Sequence, residues 1–369
     1  MKLSILLTAL FAILLLPVAA AGIEGKCLEG DCQNGQGTWE LPNGTKFIGQ
    51  WQEGKRHGKS TLVYADGTEE VRDYKNGVRQ GNCVEGDCEN GEGLLMYSDQ
   101  SLYFGQFKDG QRQGHGAWSH TGGFKYEGQW EKDEIQGEGI FDYTNGSRYE
   151  GEVKDGRQHG HGTLTLADGS RNIGEWRLGE QDGPAILLNR DGSKYEGGVK
   201  EGKPNGKGVF LHADGSGYEG EWLEGEYHGY GSYHHADGMK YEGYFKKGKF
   251  YGQGTLTIPN GNSYVGEHKD GKPDGQGKFT YADGSFYSGQ YQNGVRSGFG
   301  TYMNLTGDKY VGQWQNGKPN GRGEMSYPDG SKYTGDFSDG KRQGRGVLVE
   351  EGEKLKAGFW FQDRYIESK

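Results

Sequence analysis

Large apolar residues recur along the chain at a spacing of twenty-three. With the Tyr149 column numbered zero, that position is held upstream by Tyr103 and Tyr126 and downstream by Tyr195, Tyr218, Tyr241, Tyr264, Tyr287, Tyr310 and Tyr333. Asn172 and Lys356 break the column. Glycine stands at plus two from Gly105 to Gly358 without exception, and Trp51, Phe107, Trp130, Trp176, Trp222, Phe245, Trp314 and Phe337 stand at plus four. Positions two apart share one face of a strand, so zero, plus two and plus four form one face. The residues between them are mostly Glu and Gln, as in Glu150, Glu152, Glu219 and Glu221, and read as a solvated face.

A second apolar column at plus fifteen, with Trp118, Leu164, Phe210 and Leu348, predicts a second strand in each repeat. A loop with glycine at plus seven, such as Gly156, joins the two strands. Asp168-Gly169 and Asn145-Gly146 read as the tight hairpin turns that close the unit, because such pairs tolerate positive φ. The plus-two glycine lies between two large rings and reads as clearance for them and for close backbone approach. A fixed short period is a repeat architecture. The expected fold is all-β, an elongated single-sheet solenoid of 23-residue β-hairpin repeats.

The wording YEGEW, a glycine loop, GxG and an Asp-Gly turn resembles the membrane occupation and recognition nexus (MORN) repeat, most closely from Tyr218 to Lys240. The resemblance runs from about Phe47 to the end. It departs at Asn172 for tyrosine, Ala185 for the plus-thirteen glycine, His268 for the plus-four aromatic and Asp133 for a loop glycine. The repeat around Asn172 is therefore expected to be the weakest.

Three segments are expected: a signal peptide at 1–21, a short first array at 22–82 and a long second array at 83–369. The start has Lys2, the apolar run Leu3 to Leu16, and then Ala19, Ala20 and Ala21, the pattern of a cleaved secretory signal. Each array opens on a cysteine phrase, CLEGDCQNGQG from Cys27 and CVEGDCENGEG from Cys83, twenty residues before Phe47 and Tyr103. In an exported chain these read as disulfides Cys27 to Cys32 and Cys83 to Cys88, each closing an open sheet edge. The last repeat, from Lys356, reads as half a repeat without a second strand.

Glycine is 72 of 369 residues and hydrophobic residues only 31%, a composition of low-complexity chains, yet aromatic columns held in register overrule it. The formal charge of −10 disfavours nucleic acid. No serine sits in a nucleophile elbow, the GxG phrases lack a helix, and the acidic pairs are periodic, so neither catalysis nor a cofactor is expected. The histidines His212 and His235 lie two strands apart, ~9.6 Å, too far to share a metal.

Surface remains. No second layer is evident to cover the aromatic face, so the ladder of Tyr126, Tyr149, Tyr195, Tyr218, Tyr241, Tyr264, Tyr287, Tyr310 and Tyr333 with Trp130, Trp222, Phe245, Trp314 and Phe337 is expected to be a contact trough. The chain is expected to be an exported, non-catalytic scaffold of the periplasm, cell envelope or exterior that binds a protein partner or itself. Two alternatives stand beside it. The MORN resemblance implies association with an anionic membrane surface, through Lys203, Lys249, Lys272, Lys318 and Lys341 and through Arg148, Arg171, Lys194, Lys240 and Lys332, although a charge ladder between strands accounts for these columns as well. The aromatic ladder would also suit a glycan.

Overall fold

The computed structural model describes residues 25–350 and 354–366. The signal-peptide segment, 1–21, lies outside them. The described residues form thirty-two strands and no helix, each strand antiparallel to the next in sequence wherever a pairing is seen. This is the all-β sheet of hairpin repeats that the period predicts. Two compact units are present, divided between Ile135 and Gln136.

Each repeat is a seven-residue strand and a nine-residue strand, for example Arg148–Lys154 and Arg157–Thr165. The two-residue turn between them, Asp155-Gly156, has positive φ at both residues, 51° and 70°, the geometry of a type I′ hairpin. This corrects the expected placing of the tight turn at Asp168-Gly169. There the loop has three residues, closed by the Leu166 N–H donating to Ser170 O at 2.8 Å, and of the pair only Gly169 has positive φ, 91°. Asp168 Oδ1 instead accepts the Ser170 N–H at 2.9 Å. Both pairs read alike in sequence; the strand register decides which one becomes the two-residue turn.

Within the hairpin the register slips. Gly151 pairs with Gly162 and Val153 with Gln158, so His159, Gly160 and His161 bulge opposite Glu152. Between repeats the pairing is regular, from Gly160 with Trp176 to Thr165 with Arg171. The bulge falls in every hairpin of this kind and kinks the sheet beside the glycines.

The core is the aromatic face. Tyr149 lies flat along the sheet across both glycine columns, and its Oη donates to Glu152 O at 2.8 Å. A Cβ on Gly162 would stand 2.2 Å from that oxygen. The plus-four ring of the following repeat, Trp176, meets Tyr149 edge-on at 5.5 Å, and its Nε1 donates to Gly162 O at 3.1 Å. The motif repeats: Tyr218 lies between Trp222 and Phe245, and Tyr333 between Phe337 and Trp360. Each such ring pair is worth ~0.5–1.5 kcal/mol beyond its buried area.

Both ends substitute something else for the tyrosine. At the start of each array the disulfide does so: Cys27–Cys32 and Cys83–Cys88 are both formed, and the sulfurs of Cys32 and Cys88 cover Gly37 and Gly93. At the other end the expected half-repeat is corrected, because a three-residue strand, Arg364–Ile366, folds back onto Lys354–Phe361. It brings Tyr365 over Gly358 in place of the tyrosine that Lys356 lacks.

In the first unit, six strands from Lys26 to Arg79 form one sheet, and the next strand, Gly81–Gly86, begins another. The buried Arg79 ties the two together. Its guanidinium is 3.0 Å from Asp99 and lies 3.6 Å over the Tyr97 ring.

Candidate functional site

The fourteen ladder residues are core, not an open trough. Tyr149, Tyr241, Tyr287 and Tyr333 are 0% exposed, and Tyr126, Tyr195, Tyr218, Tyr264 and Tyr310 are 1% exposed. Trp130, Trp222, Phe245, Trp314 and Phe337 are buried as well. Burial pushes the hydroxyls of Tyr195, Tyr241, Tyr287 and Tyr333 up to about 12.

The cover comes from a column that sequence reasoning missed, at plus nine. Tyr227 stacks on Tyr218 at 3.9 Å, and Phe250 on Tyr241 at 3.8 Å. In other repeats an arginine does the same work: Arg112 lies 3.9 Å over Trp130, Arg342 4.4 Å over Trp360 and Arg296 4.8 Å over Tyr287. Pro204, Pro273 and Pro319 fill the position elsewhere. Any flat or long side chain serves, so the column has no single residue type to reveal it. Arg112 also explains Asp133. That aspartate takes the loop-glycine position at φ 71°, and its carboxylate accepts from the Arg112 backbone N–H at 2.9 Å and from Nε at 3.1 Å.

The opposite face is where side chains are presented. In the second unit it carries two rows across the strands, plus one with plus fourteen, and plus three with plus twelve. The plus-three residue is more than solvated: its side-chain oxygen accepts the N–H that the bulge frees at plus twelve. Glu152 serves His161 at 2.9 Å, Gln290 serves Phe299 at 3.0 Å, Gln313 serves Arg322 at 2.8 Å and Asp336 serves Arg345 at 3.0 Å. The signal was available, since Glu, Gln or Asp holds the column from Gln106 to Asp336 except at Gly198 and Tyr244, with an acceptor oxygen kept and the charge varied.

Several large side chains on this face are exposed: Tyr230 at 48%, Tyr244 at 50% and Phe299 at 58%. Tyr230 and Phe299 each line a shallow groove. One, of about 520 Å³, has Lys207, Val209, Glu219, Glu221, Tyr230 and Ser232 around the backbone of Gly208, Gly220 and Gly231. Another, of about 600 Å³, has Phe299, Val311, Arg322, Asp336, Arg345 and Val347 among its walls.

Part of the basic columns pairs with carboxylates along the sheet. Lys249 meets Asp270 at 3.7 Å, Lys318 meets Asp339 at 3.4 Å, Lys332 meets Glu324 at 2.7 Å and Arg148 meets Asp142 at 2.8 Å. Among the histidines, His268 replaces the plus-four ring and is buried between Tyr241 and Tyr264, at 5.1 and 4.9 Å, with Nδ1 3.1 Å from Gly266 O. Among the described residues no group of three or more His, Cys, Asp or Glu is placed to hold a metal ion.

A family model described as the MORN repeat matches twelve segments: 47–69, 103–119, 126–148, 149–171, 173–194, 195–217, 218–240, 241–263, 264–286, 287–308, 310–332 and 333–349. The chain belongs to the MORN repeat family. Most of the matched segments begin at the aromatic column and end after the closing loop, while 173–194 begins one residue later and 103–119 and 333–349 end in the second strand, so the MORN unit coincides with one hairpin and its closing loop. The segment 70–102, which holds the second cysteine phrase, lies between matches.

None of the curated proteins matches this MORN chain. Among solved structures it is similar to the TCP10 domain of Danio rerio CPAP, at 14% identity over 60% of this chain and 93% of that one, with a TM-score of 0.25. It is similar to the SAS-4 (dCPAP) TCP domain of Drosophila melanogaster, solved with a proline-rich motif of Ana2, at 13% identity over 50% and 97% of the two chains, TM-score 0.21. Virginiamycin B lyase from Staphylococcus aureus is similar at 12% identity over 90% and 97%, TM-score 0.16. None of these likenesses reaches a TM-score at which it bears on this chain.

Proposed function

We propose that this MORN repeat chain is an exported, non-catalytic scaffold that offers the face opposite its aromatic ladder to a protein partner. One observation carries the reading: the ladder is buried by its own plus-nine column, while Tyr230, Tyr244 and Phe299 stand exposed on the other face. Exposed aromatic side chains on a rigid scaffold are the residues that anchor protein interfaces. The two disulfides support export, because such pairs persist in oxidising compartments. A glycan partner would need exposed rings in the ladder, and an anionic membrane would need the lysine columns, of which Lys249 and Lys318 already have acidic partners.

The test is a photo-crosslinking side chain placed at Tyr230 or Phe299 in the full-length chain in its native cells, with Ala167 in a closing loop as control. A discrete adduct from the face positions and none from Ala167 is expected. No adduct, or the same adducts from all three, would sink the reading. Intact mass of the exported protein checks the leader, with loss of 1–21 expected. Flotation with neutral and anionic liposomes is expected to leave the protein unbound to either.

A further inference from the structure

We infer that the face anchored by Tyr230 and Tyr244 takes an extended polypeptide segment with a cationic side chain at every third residue. This rests on the reading of that face as a protein-binding one and names the chemistry of the occupant.

The anchor is a built one. Tyr230 and Tyr244 are cross-strand partners, with rings edge-on at 5.5 Å, both about half exposed. The Tyr230 hydroxyl donates to Glu242 Oε1 at 3.0 Å, which fixes the ring. Two exposed, oriented rings offer faces to an aliphatic stem, a prolyl ring or a cation.

Charge selects the occupant. The row beside the tyrosines runs Glu196, Val209, Glu219, Ser232, Glu242, each paired in register with the next. Glu221, beside Glu219 in the groove and opposite Lys207, adds a fourth carboxylate to the face, while Lys194 holds Glu196 from the edge at 2.6 Å and Lys240 stands two residues before Glu242. A carboxylate in this row recurs on every second strand, ~9.6 Å apart. A chain in the polyproline II conformation has three residues per turn and rises ~3.1 Å per residue, so its same-face side chains recur every ~9.3 Å. The two spacings agree to within a few tenths of an ångström over one repeat, so a segment lying across the strands sets successive cations against Glu196, Glu219 and Glu242. A β-strand ligand would present same-face side chains every ~6.6 Å and fall out of step.

Fluorescence anisotropy on the exported protein tests this with two labelled peptides of equal composition. One is four repeats of Lys-Pro-Pro, and the other has the four lysines clustered ahead of the prolines. The in-step peptide is expected to bind, more weakly with added salt, and at least about tenfold tighter than the clustered one, a tenfold ratio being 1.4 kcal/mol. Glu219→Gln with Glu242→Gln, and separately Tyr230→Ser with Tyr244→Ser, are each expected to weaken it about tenfold. Asp339→Asn, outside the groove, is expected to change nothing. All are exposed positions, and circular dichroism checks that the fold is kept. Equal binding of the two peptides, or unchanged binding by both double variants, overturns the inference. So does self-association, seen by sedimentation, that the same variants abolish, because the occupant is then a second copy. Failure of both peptides with a discrete crosslink from Tyr230 overturns the inference and leaves the proposed function standing.

Discussion

Two adjacent repeats, 149–171 and 172–194, have the same strands, the same turns and the same bulge, yet their interiors differ. In the first, the Tyr149 ring lies over Gly162. In the second there is no ring, because Asn172 stands in its place, and the facing glycine is replaced by Ala185, itself 6% exposed. The two departures belong together. A ring lying flat on the backbone leaves no room for a Cβ, and without the ring a methyl group fills part of the space. The first hairpin says the same: Phe47 carries no hydroxyl, and its partner position holds the buried Ser60. Columns zero and plus thirteen are therefore one choice, made twice over in each repeat, and the repeat around Asn172 is a self-consistent variant rather than a damaged copy.

This comparison can be broken. Truncating Tyr149 to Ala should cost about 3–5 kcal/mol locally, as for other large buried rings, whereas Asn172→Ala should stay under about 1 kcal/mol. Hydrogen exchange of the flanking strands is the measurement, because repeat arrays open locally and a single global midpoint would hide the difference. Equal protection loss in the two variants would refute the account.

Next in size, Gly162→Ala forces the Tyr149 ring off the sheet and should cost up to about 3 kcal/mol by overpacking, while Ala185→Gly should cost about 1 kcal/mol or less. Asn172→Tyr alone should destabilise, since Ala185 blocks the ring. Combined with Ala185→Gly it should stabilise, with a coupling of about 1–3 kcal/mol in a double-mutant cycle. Additive effects would separate the two columns again.

The starts offer a milder contrast. Reducing the disulfides Cys27–Cys32 and Cys83–Cys88 uncovers Gly37 and Gly93 and removes a small loop constraint. The expected loss is about 2 kcal/mol, confined to the first strands of each array. Exchange that speeds up uniformly along the chain would contradict the lid role of the sulfurs.

The smallest effect tests the other replaced ring. Burial, opposed by the carbonyls of Gly266 and Gly252, holds the His268 imidazole below its usual pKa. A folded pKa below the unfolded value means that protonation favours the unfolded chain. The contribution is therefore complete above the unfolded pKa of about 6.5 and is lost as pH falls through the folded value. His268→Trp should remove this acid sensitivity, seen as a flatter melting temperature against pH below about 6.5.

Much of this was legible in the chain. The period, the two faces, the disulfide partners and the reading of plus-two glycine as clearance for rings all follow from residue type and spacing, and the structure has them. The plus-nine cover was not legible, because proline, arginine, glutamine, isoleucine, tyrosine and phenylalanine belong to no one residue class. The final strand was hidden for a similar reason. Tyr365 stands at plus nine and closes the array only because it folds back over Gly358.

What the sequence by itself determined is what depends on near neighbours along the chain: alternation of sides, the unit length, and glycine wherever a Cβ is excluded. What only the tertiary structure decided is which face is closed. A tyrosine column reads the same whether water or another side chain lies above it. The answer here rests on contacts across the hairpin, where a bulged strand brings plus nine over zero and leaves the glutamates and a few aromatic side chains facing outward.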